Sequence, residues 1–305
     1  RLAFGRASGI IMTPLCHSAR YFGRNVKKIR RDLVDTEIKS KRGGWGSNFG
    51  FLMASIGSAV GLGNIWGFPY KMGANGGGAF LLVYVILVVF VGFAVMLGEL
   101  TIGRKTGKGA VGAYRALNKK LPWVGYMGVG SAFLILGFYS VLGGMVMRYM
   151  LGFLVNMFGG AGFAAEGFFG SWIANMPGMV GFYALFMLLN IVIVMGGISG
   201  GIEKFSKVAM PALAVMLVTV IVYIACQPGA MEGYKFMFVP DFSVFDSLKS
   251  FFDVLKSAAG QMFFSLSLGM GAMITYGSYL SKGEDLNSNT IIIPVADTIV
   301  AIMAG

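Results

Sequence analysis

The sequence has 305 residues, of which 56% are hydrophobic and only 12% are charged, and its mean hydropathy is +0.74. Because about a quarter of the residues of a soluble protein are charged, this composition predicts an all-α membrane protein with several spanning helices rather than a soluble enzyme. The net charge of +12 does not indicate a nucleic-acid partner, since most Lys and Arg residues lie in the N-terminal tail and in loops on one predicted side.

Residues 1–42 form a basic N-terminal tail with eleven Lys and Arg residues and three acidic residues. We expect a solvated cytosolic segment that fixes the orientation of the protein, although residues 24–42 are also compatible with a short interfacial helix. The tail contains Cys16 and His17, and neither they nor the distant Cys226 show the spacing of metal ligands. The membrane domain is predicted to occupy residues 43–305.

Seven apolar segments predict membrane-spanning helices, which we number span 1 to span 7 in chain order. They cover about residues 46–70, 79–102, 123–157, 179–197, 208–226 and 252–280, and a last segment that begins near 289. Span 3 exceeds the roughly 20 residues that a bilayer needs, so we expect it to tilt or to project into water. The chain begins with Arg1 rather than Met and ends inside an apolar segment at Gly305, which predicts a sequence truncated at least at its C-terminal end.

The distribution of positive charge predicts the orientation of the spans. With the N-terminus in the cytosol, the tail and the inner loops contain 20 of the 25 Lys and Arg residues. The outer loops contain three, namely Lys71, Lys235 and Lys249. This asymmetry follows the positive-inside rule and predicts a plasma (inner) membrane protein whose N-terminus is cytoplasmic.

Span 1 contains an interruption between residues 57 and 69, with the sequence GSAVGLGNIWGFP. Within this otherwise apolar segment lie Gly61, Gly63, Asn64, Gly67 and Pro69. Backbone groups at membrane depth must be satisfied within the protein, so a break in the helix is costly unless the freed groups bind something. We therefore predict a discontinuous helix whose free amide and carbonyl groups hold a substrate and a cation.

Span 6 contains a matching interruption, with Ser265, Ser267, Gly269 and Gly271 at mid-depth. Two glycine-interrupted spans at corresponding positions are typical of transporters built from inverted repeats, here spans 1–5 and a second repeat that starts with span 6. The exposed amides of a half-helix suit a carboxylate, and the freed carbonyls and hydroxyls suit sodium. Close helix packing is the alternative explanation for the glycines, but it would not require polar side chains such as Asn64 at the same depth.

Four motifs resemble the neurotransmitter:sodium symporter family in its bacterial amino-acid-transporting branch. They are SAVGLGNIWGFPY at 58–70, NGGGAFLLVY at 75–84, GGISGGIEKFSKVAMP at 196–211 and GQMFFSLSLGMGAMITYGSY at 260–279. The resemblance extends from about residue 44 to the end of the chain. It implies a transporter domain with discontinuous helices 1 and 6, and it implies no covalent chemistry.

The resemblance also implies roles for individual residues around the substrate. The carboxylate of an amino acid would meet the unwound part of span 1 and the hydroxyl of Tyr139, and its side chain would enter an apolar pocket. The implied substrate-binding residues are Ala59, Gly61, Leu62, Gly63, Ile135, Tyr139, Phe264, Ser267 and Met270. Phe264 over Tyr139 would form the thin outer gate, and Glu99 would support the broken span 6.

Two sodium ions are implied in the same way. The first would bind the Ala59 carbonyl, the Asn64 and Ser265 side chains and a residue of span 7. The second would bind the carbonyls of Gly57 and Val60, with its other ligands on a span 8 that lies beyond this sequence.

Several of these residues have simpler explanations that the sequence leaves open. Tyr139 could be an interfacial tyrosine, Phe264 and Met270 could be ordinary core residues, and Glu99 could lie at the inner membrane boundary beside Arg104. An acid within the membrane is nevertheless a functional hypothesis by default.

The sequence departs from the family at two positions. Many members have arginine where this chain has Gly67, and that arginine pairs with an acid on helix 10, so we expect Lys71, one helical turn later, to supply the gate's positive charge. Asp297 falls at or beside the first sodium site, where other members use asparagine or depend on chloride. A fixed carboxylate there predicts chloride-independent transport, because an unbalanced cation at mid-membrane is costly.

The sequence thus predicts a sodium-coupled symporter that imports a neutral, hydrophobic or aromatic amino acid by alternating access. Its partners would be that small molecule and the lipid bilayer, and the oligomeric state stays open. The alternatives are a symporter for another amine or small solute, and a transport-inactive sensor or a channel on the same fold.

Overall fold

The computed structural model describes residues 44–159, 167–281 and 283–305 of the chain. The basic tail that we predict for residues 1–42 lies outside these ranges. The regular secondary structure of the described residues is helical.

The first helix is broken in the middle. Helix α1, Asn48–Ala59, begins at a capping Ser47, whose hydroxyl accepts a hydrogen bond from the amide of Gly50 at 3.0 Å. It ends because Val60 adopts an extended backbone (φ −78°, ψ 116°). A π-helical turn, Gly63–Gly67, then leads into α2, Phe68–Ala74. The two halves meet at an angle of 44°.

The remaining helices of the first half follow the predicted order. Two helices joined by a π-helical turn at Val88–Gly92 form one 29-residue span. A short helix and the long 36-residue α6 come next, and two further spans complete this half. In chain order the helices are α3 Gly78–Leu87, α4 Phe93–Thr106, α5 Ala110–Leu117, α6 Pro122–Met157, α7 Phe168–Ala174, α8 Met176–Met195 and α9 Glu203–Ala225.

The second half repeats the discontinuity of the first. Its helices are α10 Ala230–Phe238, α11 Leu248–Ser265, α12 Ala272–Gly277 and α13 Leu286–Ala304. Helices α11 and α12 are separated by residues 266–271, which is where the sequence predicts the second break. Helix α13 packs against α1, against α4 and against the π-helical turn of the first broken helix, so it joins the two halves.

Five helices of the described residues are long and apolar enough to cross a membrane, and the bent pair α1–α2 makes six. The predicted span 6 is absent from this count. It is divided between α11 and α12, and α11 contains Lys249, Asp253 and Lys256.

Four segments that hydropathy assigns to loops are partly helical. Residues 198–202 form a π-helical turn that continues into α9. Helix α5 occupies a predicted inner loop, and α7 and α10 occupy predicted outer loops. Hydropathy detects contact with lipid and not helicity, so it ends a helix wherever charged side chains begin. Glu203 and Lys207, for example, form an ion pair one turn apart within α9.

Candidate functional site

At the break in the first helix, backbone amides donate hydrogen bonds to side chains instead of to helical carbonyls. The amide of Leu62 donates to the hydroxyl of Tyr139 at 2.9 Å, and the amide of Gly61 donates to the side-chain oxygen of Asn64 at 3.2 Å. A Cβ at Gly61 would lie only 2.5 Å from the Tyr139 hydroxyl, so glycine is required for this approach. The structure thus places the Tyr139 hydroxyl at the break in the first helix.

The same break frees a row of carbonyl groups at the end of α1. Among the described residues, no donor reaches the carbonyl oxygens of Gly57, Ala59 or Val60. The carbonyl of Ser58, between them, accepts a hydrogen bond from the hydroxyl of Ser267 at 2.9 Å. The three free carbonyls are those that the sequence analysis assigns to sodium.

At the second break, helix α11 is terminated by a residue with a left-handed backbone conformation, Ser267. The amide of Leu268 donates to the carbonyl of Phe263 at 3.0 Å, and the amide of Ser267 donates to the carbonyl of Phe264 at 3.2 Å. These two hydrogen bonds and a positive φ of 54° at Ser267 define a Schellman motif. Helix α12 then starts after Gly271, which also has a positive φ.

Glu99 lies beside this second break. Its carboxylate accepts a hydrogen bond from the amide of Gly269 at 2.7 Å, and its other oxygen is buried without a partner among the described residues. Arg104, which sequence proximity suggests as a neighbour, donates instead to the carbonyl of Glu284 at 2.7 Å. Glu99 thus contacts the unwound segment at Gly269, and its role in supporting that segment stays a prediction.

Asp297 collects the polar side chains of three helices in a fully buried cluster. Its carboxylate accepts from the amide of Asn64 at 2.7 Å and from the hydroxyl of Ser265 at 3.0 and 3.1 Å. The hydroxyl of Tyr84 lies 3.4 Å away. The structure thus brings together the side chains that the sequence analysis assigns to the first sodium. It adds Tyr84, which closes the motif NGGGAFLLVY and which sequence reasoning missed.

A cavity of about 350 Å³ connects the two breaks with α6. The rings of Tyr139 and Phe264 lie on its boundary with their centroids 6.2 Å apart. Most of the predicted substrate-binding residues line it, and Leu62 contributes its backbone amide nearby. The lining residues are Gly57, Ser58, Ala59, Val60, Gly61, Gly63, Ala132, Ile135, Leu136, Tyr139, Phe264, Ser267 and Met270.

Sequence reasoning missed four further residues of this region, the first being Ser58, which lies between the carbonyls assigned to sodium. Ala132 and Leu136 share one face of α6 with Ile135 and Tyr139, and their three- and four-residue spacing could have identified them. Gln261 on α11 is fully buried, and its amide donates to the carbonyl of Gly63 at 2.8 Å. It therefore holds the first broken helix against the second.

Lys71 lies on α2, on the predicted outer side of the site. Its ammonium group has no acidic partner among the described residues. A Cβ at Gly67 would make only ordinary contacts, the nearest being 3.6 Å from the side-chain oxygen of Gln261. The gate that the sequence analysis assigns to Lys71 therefore stays a prediction.

The described residues form a helical membrane protein of the transporter type, in which two discontinuous helices meet at one central cavity. The family model described as the Sodium:neurotransmitter symporter family matches residues 42–159 and 173–305. The chain belongs to that family, which consists of transporters and not of enzymes. The predicted family and the predicted fold class are confirmed.

Known proteins and structures support the same assignment. The chain is 38% identical over 264 residues to the uncharacterized sodium-dependent transporter YhdH of Bacillus subtilis, covering 86% of this chain and 57% of YhdH. It is 31% identical to the human inactive sodium-dependent neutral amino acid transporter B(0)AT3, covering 90% of this chain and 48% of that protein. It is also similar to the crystal structure of MhsT in complex with L-phenylalanine, with a TM-score of 0.78, 43% identity and coverage of 86% and 59%. The chain thus spans about half the length of these relatives.

Proposed function

We propose that this protein is a sodium-coupled symporter that imports an amino acid by alternating access of one central site. The observation that carries the proposal is the row of free carbonyls at Gly57, Ala59 and Val60 in the same break whose Asn64 side chain donates to the buried carboxylate of Asp297. Such a set of oxygen atoms suits a hard cation, and it borders the cavity that would hold the substrate.

The ligand assignments follow from the groups that the two breaks set free. The first sodium would bind the Ala59 carbonyl and the side chains of Asn64, Ser265 and Asp297. The second would bind the carbonyls of Gly57 and Val60. On binding, sodium would displace hydrogen bonds that now join these groups to one another, such as the one between Asn64 and Asp297.

The substrate carboxylate is assigned to the amides of the first break and to the Tyr139 hydroxyl. A half-helix N-terminus carries partial positive charge, and a bound sodium adds a full charge beside it. The part of the cavity that would hold the side chain of the substrate is apolar, with Ile135, Phe264 and Met270 in its wall. These walls favour a neutral, hydrophobic or aromatic amino acid, and the related MhsT was crystallised with L-phenylalanine.

The protein is a multi-pass membrane protein, and we place it in the plasma membrane with its N-terminus in the cytosol. In this arrangement residues 1–42 are a basic cytosolic tail and residues 43–305 belong to the transporter domain. The exposed apolar side chains of α8 and α9 would then contact lipid, since the most apolar 18-residue stretch of each span has no buried residue.

Uptake into proteoliposomes tests the function. With a higher sodium concentration outside the vesicles than inside, we expect labelled phenylalanine or leucine to accumulate above its external concentration. We expect no accumulation when potassium replaces sodium. A channel would only equilibrate the solute, and an inactive sensor would bind without uptake. Thermal-shift screening with the twenty amino acids and simple amines, with and without sodium, separates an amino acid substrate from another amine.

A further inference from the structure

We propose that Ser267 is a positioning residue that holds the break of the first helix open for sodium. The inference rests on the proposed function, and it gives Ser267 an effect on the sodium site that acts through the carbonyl of Ser58. At the two breaks, the Ser58 carbonyl and the Leu62 amide have each taken a new hydrogen-bond partner.

The carbonyl of Ser58 has lost its helical partner. In a continuous helix this carbonyl would accept from the amide four residues later, which belongs to Leu62. That amide donates instead to the Tyr139 hydroxyl at 2.9 Å, and the Ser267 hydroxyl takes its place on Ser58 at 2.9 Å. Of the four carbonyls at residues 57–60, this one alone has a donor among the described residues.

The backbone at Ser267 indicates that serine is present for its hydroxyl. Ser267 is the single non-glycine residue of the described ranges with a positive φ, at the Schellman position that glycine usually occupies. Its neighbours in the same break with positive φ, Gly269 and Gly271, are glycines. A side chain at such a position is unfavourable on backbone grounds, so a compensating contact is expected, and the hydrogen bond to Ser58 is that contact.

The consequence concerns the carbonyls on either side of Ser58. Without the hydroxyl, the Ser58 carbonyl would lack a donor, and its nearest replacement along the chain is the amide of Leu62. If the Ser58 carbonyl accepted from the Leu62 amide again, the helix would rewind, and the carbonyls of Ala59 and Val60 would turn away from the site. The hydroxyl thus pre-organises the break, and pre-organisation raises affinity.

Sodium titrations of two variants test this role. Ser267→Ala and Ser267→Gly both remove the hydroxyl, but only glycine also relieves the left-handed backbone. We expect the sodium concentration for half-maximal thermal stabilisation to rise about fivefold in both variants, the effect of one lost hydrogen bond. Ser278→Ala is the control, because its hydroxyl bonds to the Thr275 carbonyl of its own helix at 2.7 Å, and it should titrate as the wild type does.

Three outcomes would overturn the inference. If Ser267→Gly restores the wild-type titration while Ser267→Ala does not, only backbone strain matters. If the sodium titration is unchanged and the KM for the amino acid rises at saturating sodium, Ser267 is a direct substrate ligand. If the wild-type protein shows no stabilisation by sodium over potassium, the proposed function fails together with the inference, which separates this case from the other two.

Discussion

Asp297 would contribute the fixed negative charge of the proposed first sodium site. It is fully buried, and its partners Asn64, Ser265 and Tyr84 are uncharged. A bound sodium beside it would be balanced within the protein, so transport should need no mobile anion. We expect uptake to be the same within about twofold when gluconate replaces chloride.

Neutralising this carboxylate should weaken sodium binding. In Asp297→Asn we expect the half-saturating sodium concentration to rise at least about tenfold, since a unit charge at contact distance is removed. Asp253→Asn, on the exposed face of α11, is the matched control. Uptake that collapses without chloride in the wild type would contradict the role of Asp297.

Tyr139 is the second residue whose contribution can be isolated. Its hydroxyl accepts from the amide of Leu62, and Tyr139→Phe leaves that half-buried amide without a partner. We expect the KM for the amino acid to rise about tenfold, because a lost hydrogen bond at a buried polar group costs about 1–3 kcal/mol. Tyr149→Phe, on the same helix with its ring against Phe168, should leave the KM unchanged. An equal effect of both variants would assign the loss to the helix and not to the hydroxyl.

Helices α1 and α9 are joined at their N-terminal ends by Glu203. Its carboxylate accepts from the amide of Gly46 at 2.7 Å, and a Cβ at Gly50 would overlap it. Gly50→Ala should therefore force the two helices apart and lower the free energy of unfolding by about 1–3 kcal/mol, as overpacking does. Thermal denaturation in detergent measures the change.

A glycine in open space provides the comparison. Gly98 lies within α4 with no atom near the position of an added Cβ, so Gly98→Ala should keep or raise the stability by about 0.5–1 kcal/mol. Equal stability of Gly50→Ala and Gly98→Ala would show that the contact between α1 and α9 tolerates separation.

Helix α2, the outer half of the first broken helix, presents Lys71 one turn after Gly67. If Lys71 supplies the positive charge of the outer gate, Lys71→Ala should reduce sodium-driven uptake about tenfold or more. Lys249→Ala, at the exposed N-terminal end of α11 on the predicted outer side, should have little effect. Near-normal uptake by Lys71→Ala would leave the gate to Phe264 and Tyr139.

At the scale of the whole molecule, the two cysteines report the orientation. Cys226 is exposed directly after α9, on the predicted outer side, and Cys16 belongs to the predicted cytosolic tail. A membrane-impermeant maleimide should therefore label Cys226 in intact cells and reach Cys16 only after permeabilisation. Cys226→Ser should abolish the first signal, and the reverse pattern would invert the topology.

The sequence by itself determined the features whose signals are local. Glycines, Asn64 and Pro69 within an apolar span indicate the first break, and small and polar residues indicate the second. A helix interrupted at membrane depth requires such residues, because its freed backbone groups must be satisfied within the protein. The helical class and the family follow from composition and from uninterrupted motifs. The helices in the predicted loops were missed, since charged residues at a membrane surface hide helicity from a hydropathy profile.

Only the tertiary structure decided which groups complete the site. Asn64 and Asp297 are 233 positions apart, Ser58 and Ser267 are 209 apart, and Glu99 and Gly269 are 170 apart. Such pairings depend on the register in which helices pack, and a single sequence does not encode register in a local pattern. For the same reason the resemblance implied only the sodium-binding carbonyls of Gly57, Ala59 and Val60, and the packing of the second break against the first showed that Ser267 occupies the carbonyl of Ser58 between them.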